Sequence, residues 1–69
     1  MTDKKAIMLV NQLNPILKQS TGVIRRLGID YDNQDILLIN SLGAILCRVY
    51  YGTGQPIRLV LHSVVEELM

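Results

Sequence analysis

Apolar or small side chains stand at Ala6, Leu9, Leu13, Ile16, Ser20, Val23 and Leu27, separated alternately by three and four residues. That is the spacing of one helical face. Val10, Leu17 and Ile24 flank the stripe. Pro15 falls inside it, where a proline removes a backbone donor and crowds the preceding turn. Asn14 followed by Pro15 is also a good N-cap followed by a preferred first helical residue. The pattern predicts helices over residues 3–13 and 15–27, or one continuous helix kinked at Pro15, because the stripe keeps its phase. Gly28 is placed as a glycine just beyond a helix end.

After a connector at residues 29–32, Leu38, Ile39, Leu42, Ile45, Leu46 and Val49 share a helical face, opposite Asn40, Cys47, Arg48 and Tyr51. A helix over 33–51 is predicted, with Asp32 or Asn33 as its cap and Asp35 in its first turn. Residues 52–55 form a turn. Pro56 suits a first helical position, and Ile57, Val60, Leu61, Val64, Val65 and Leu68 predict a last helix over 56–68. A β reading competes, since 44–51 and 57–62 are rich in β-branched residues and separated by a glycine-containing loop, as in a hairpin. Strict alternation fails where Leu59, Val60 and Leu61 run together. The expected fold class is therefore all-α, a small antiparallel bundle of three to four helices in a single domain over residues 1–69.

Composition narrows the function classes. The chain is 49 % hydrophobic with no Phe, no Trp and three Tyr, so its core is built from branched aliphatics. A chain of 69 residues buries only about 60 % of its unfolded surface and sits near the lower limit of independent stability. A net charge of +1 offers no general attraction to nucleic acid or anionic lipid. The longest apolar run, residues 6–10, is far too short to span a bilayer. The expected location is cytoplasmic.

Candidate chemistry is sparse. Cys47 is the only cysteine and His62 the only histidine, so no internal disulfide and no zinc site is expected. His62 pairing with Glu66 at i, i+4 accounts for the histidine without a catalytic role, and Cys47 reads as a small apolar residue rather than a nucleophile. Asp30, Asp32 and Asp35 lack the glycine and terminal glutamate of a calcium loop. Gly52 and Gly54 lack the preceding strand and third glycine of a nucleotide site. Glu66 and Glu67 diverge on a helix and cannot act as a glycosidase pair. No enzyme and no cofactor is expected. The apolar surplus instead suggests a partner surface. Its best candidates are Tyr50, Tyr51, Thr53, Gln55, Arg58, Leu59 and His62, with tyrosine favoured at interfaces for rigid area and a polar tip.

Lys4-Lys5 before an amphipathic helix, Ile16-Leu17 opening a second, the run Leu38-Ile39-Asn40-Ser41-Leu42, Tyr50-Tyr51 before a polar turn and the ending Glu66-Glu67-Leu68 form a further pattern. It resembles the small immunity proteins that protect bacteria from pediocin-like (class II) bacteriocins. The resemblance implies a helical bundle in the cytoplasm of the producer cell. Its role would be non-catalytic, acting at the bacteriocin-bound membrane receptor, a sugar permease of the mannose phosphotransferase type, with peripheral membrane association through that receptor. It also implies that specificity lies in the C-terminal half, on Tyr50, Tyr51, residues 52–55 and the exposed side of the last helix. The alternative is a small phage-type or regulatory helical protein that homodimerises, with Asn33 and Gln34 as the residues that would read DNA.

Overall fold

A computed structural model describes all residues 1–69. It is an α+β fold in the order α1 (Asp3–Lys18), β1 (Arg26–Asp30), β2 (Asp35–Ile39), β3 (Ile45–Tyr50) and α2 (Ile57–Leu68). The expected all-α bundle is not what the chain adopts. The helix expected over 56–68 is present as α2, but the one expected over 33–51 is replaced by two strands and the turn between them. The hairpin considered for 44–51 and 57–62 is also corrected: the first arm is a strand, but its partner is β2.

α1 begins where Thr2 Oγ1 accepts a hydrogen bond from the Lys5 N–H at 3.2 Å, with Asp3 in the first turn favouring the positive helix end. It is one helix, with Pro15 inside its last turn, and it stops at Lys18. The predicted continuation to residue 27 fails because Gln19, Ser20, Thr21 and Gly22 are turn formers. Ser20 Oγ accepts from the Gly22 N–H at 3.0 Å, and the Ser20 carbonyl accepts from the Arg25 guanidinium. The phase match of Val23 and Leu27 with the helical stripe is accidental. Leu27 lies on a strand.

The three strands form an antiparallel sheet in the order β1-β2-β3. Leu27 pairs with Leu38 and Leu38 with Cys47, while Ile29 pairs with Ile36 and Ile36 with Val49. These six side chains face the helices. Two side-chain-stapled turns make the meander. Asp30 accepts from the Asn33 backbone N–H at 3.2 Å and from its Nδ2 at 2.8 Å, and Gln34 takes φ +56. Asn40 Oδ1 accepts from the N–H groups of Leu42 and Ala44 at 3.0 and 2.9 Å, and Gly43 adopts φ +83, a conformation open to glycine at little cost. A register shift at Leu38/Ile39 sets Ile39 against Ile45 and leaves Leu46 as the extra residue of a bulge.

One contiguous core unites Ala6, Leu9, Val10 and Leu17 of α1, Leu27, Ile36, Leu38 and Val49 of the sheet, Val60 and Val64 of α2, and the loop residues Ile24 and Tyr51. α1 lies over β1 and α2 over β3. The two helices run in the same direction. Asp3 meets Tyr51 just past the end of β3, Asn14 meets Leu27 near the start of β1, and Glu67 meets Cys47 near the start of β3.

Candidate functional site

The α1 and α2 faces turned toward each other do not close. Between them lies a groove of about 420 Å³. Leu9 and Leu13 form its floor, Met8 and Ile16 one wall, and Ile57 and Leu61 the other, with Lys5 and Gln12 as its polar members. Its walls are exposed: Met8 by 53 %, Ile16 by 65 %, Ile57 by 49 % and Leu61 by 40 %. Because α1 packs on one outer strand and α2 on the other, only the residues pointing down into the sheet are buried. The flanks they share stay open.

The residues expected to form a contact patch are divided by the fold. Tyr50 is exposed at the end of β3, and its phenol lies so close over Gly52 that a Cβ there would clash with it. Tyr51 is not available to a partner. It is fully buried, and its hydroxyl donates to Asp3 Oδ1 at 2.7 Å. Burial first, then the bond to Asp3 and its negative charge, push the phenol well above the usual tyrosine range. Thr53 is exposed in the loop, whereas the Gln55 carbonyl accepts from the Met1 amino group at 2.9 Å, as does the Gly52 carbonyl at 3.2 Å. Arg58, Leu59 and His62 are exposed on α2, turned away from the groove.

His62 Nε2 lies 2.8 Å from Glu66 Oε1. On Cys47, burial first and the neighbouring Glu67 carboxylate second raise the thiol pKa, which holds the sulfur protonated rather than activating it as a thiolate. On the sheet face opposite the helices, Arg48 Nη1 reaches Asp30 Oδ2 at 3.0 Å and Asp35 Oδ2 at 3.4 Å. Hydrogen bonds from Asn33 and then Arg48 hold the Asp30 carboxyl below its ordinary range. Asn33 and Gln34, expected at the start of a DNA-reading helix, are instead turn residues, so that helix does not exist. No group of three or more His, Cys, Asp or Glu side chains is placed to hold a metal ion, and no helix is long and apolar enough to cross a membrane.

The groove was hidden in the sequence because Leu9, Leu13, Ile16, Ile57 and Leu61 all belong to stripes that a helical bundle would cover. The helical bundle implied by the resemblance to bacteriocin immunity proteins is likewise absent. The run Leu38-Ile39-Asn40-Ser41-Leu42 is the end of a strand and a turn, not a helix, and bacteriocin immunity is left without support. No protein-family model matches the chain, and no curated protein or solved structure does so either.

Proposed function

We propose that the chain is a non-catalytic protein-interaction module whose α1–α2 groove receives the apolar face of an amphipathic helix from a partner protein. The observation that carries this reading is the apolar lining of the groove, six aliphatic or thioether side chains gathered along two parallel helices, of which Met8, Ile16, Ile57 and Leu61 are exposed. A folded chain gains from covering such a patch. From Lys5 to Ile16 the wall of α1 extends roughly 16 Å at about 1.5 Å per residue. That length suits anchors at i, i+3, i+4 and i+7 of a guest helix, which span about 10 Å. Met8 adds an unbranched side chain that adapts to the guest's contour. Lys5 favours a guest with an acidic residue at one end.

A photo-crosslinking amino acid at Met8, introduced in the cells that make the protein, tests this. A discrete adduct should form and should vanish when Ile16 and Leu61 are both changed to Glu. The same crosslinker at Asn33, in the β1–β2 turn outside the groove lining, should not give it. Identical adducts from positions 8 and 33 would sink the reading.

A further inference from the structure

The groove differs at its two ends. α1 and α2 run in one direction, and the Met1 amino group, bonded to the Gln55 carbonyl at 2.9 Å, sets their starts side by side. Lys5 and Ile57 stand at that mouth, and Lys5 is the one charged side chain in the lining. Its ammonium is exposed and has no carboxylate partner, since the ion pairs of the chain join Arg48 to Asp30 and Asp35 and His62 to Glu66. Asp3, two residues before Lys5, is turned to Tyr51. The far end of the lining, at Ile16 and Leu61, is apolar.

Helices that point the same way also add their dipoles. Each contributes about half a positive charge at its start and about half a negative charge at its end. Side chains commonly offset this field, but on α2 they reinforce it. Its first turn holds Arg58 and no acid, and its last turn holds Glu66 and Glu67 and no basic residue. On α1 the side chains have the offsetting sense, with Asp3 first and Lys18 last. Neither of them reaches the groove, for Asp3 is held by Tyr51 and Lys18 lies about 140° around the helix from Lys5, at about 100° per residue.

We propose that the guest helix lies antiparallel to α1 and α2, with its C-terminal turn at the Lys5 mouth and a carboxylate in that turn paired with the Lys5 ammonium. This rests on the groove reading and adds a direction and a charge to it. So placed, the negative end of the guest meets the positive ends of two helices, and its positive end meets their negative ends. A guest laid the other way opposes both. The lengths agree as well. The wall of α1 from Lys5 to Ile16 extends roughly 16 Å and the anchors of a guest span about 10 Å, which leaves about one helical turn beyond the last anchor for the carboxylate.

Two synthetic helices about four turns long test the direction. They share one composition, blocked ends and Leu anchors at i, i+3, i+4 and i+7, and they carry a pair of Glu in the last turn of the first probe or in the first turn of the second. A nitroxide at the N-terminal end of the first probe should broaden the amide signal of Val65 and spare that of Ile57. Lys5→Gln should weaken the first probe about three- to fivefold and leave the second unchanged. Treating the four affinities as a cycle removes the difference in helix content between the free probes. Ile16→Glu together with Leu61→Glu should abolish binding of both. Broadening at Ile57 in place of Val65, or a Lys5→Gln effect that is absent or equal for the two probes, overturns the direction; the groove reading survives if the paired Glu changes still abolish binding. Failure of both probes to bind at millimolar concentration, or binding indifferent to the paired Glu changes, overturns the direction and the groove reading together.

Discussion

Asn14 brackets the backbone of Leu27: its Nδ2 donates to the Leu27 carbonyl at 3.2 Å while its Oδ1 accepts from the Leu27 N–H at 2.7 Å. One side chain of α1 thus stands in for a neighbouring strand along the outer edge of β1, and it docks the helix to the sheet by a directional contact as well as by apolar burial.

Asn14→Ala removes both partners of Leu27 at once. The expected loss is about 1–3 kcal/mol, the usual range for leaving a partly buried backbone group unmatched. Urea denaturation should show it as a lower midpoint at unchanged slope. An unaltered midpoint would mean that solvent replaces the asparagine at no cost.

Tyr51→Phe removes the hydroxyl that donates to Asp3. A hydrogen bond to a charged acceptor contributes about 1.5–3 kcal/mol. The variant should also respond differently to alkali. The folded chain holds the Tyr51 proton above the ordinary phenol value of 10.0, whereas the unfolded chain releases it there. The corresponding stability is complete below that pH and declines as pH rises past it. Wild-type stability should therefore fall above about pH 10, and Tyr51→Phe should flatten the fall. Equal slopes for the two proteins would separate Tyr51 from the alkaline transition.

Leu38→Ala hollows the middle of the core, where Leu38 is fully buried on the central strand. The expected cost is about 2–5 kcal/mol. Set against the roughly 5 kcal/mol available to a domain at the low end of the stability range, this leaves about 0–3 kcal/mol, so the urea midpoint followed by circular dichroism should fall steeply, reaching half-unfolded protein without urea at the upper end of the cost.

Gly43→Ala places a side chain in open space but at φ +83. Any destabilisation is therefore backbone strain alone, about 1–2 kcal/mol. Gly43→Asn should recover part of it, since asparagine tolerates the left-handed region. Thermal unfolding of the pair separates conformation from contact.

The last helix was legible in the sequence because Val60 and Val64 point into the core and Ser63 and Glu67 do not, giving α2 one buried face and a clear period. The centre of the chain was not. In β2, Ile36 and Leu38 face the helices while Leu37 and Ile39 occupy the other face, and Ile39 is only 5 % exposed there. Apolar residues on both faces erase the alternation that marks a strand, and a short apolar run cannot be told from a helix by period alone. The usable signals were in the turns. Asn40 and Gly43 stand three residues apart, as do Asp30 and Asn33, each set joining strands through side-chain bonds to backbone. Of the candidate contact residues, Tyr50 is exposed and Tyr51 is buried. Adjacent residues at a strand end point opposite ways, a distinction a helical reading cannot make.

The bond between Asp3 and Tyr51 joins residues 48 apart in sequence. Both hairpins of the sheet, by contrast, close over turns of a few residues, so loop-closure entropy favours forming the meander first. The N-terminal end of α1 then has a finished surface to land on. Interactions made on the native side of the folding barrier leave the folding rate nearly unchanged and govern the unfolding rate. The clasp formed by Met1 and Asp3 on the β3–α2 loop therefore acts as a latch. It sets how long the folded chain persists, with little influence on how quickly it forms.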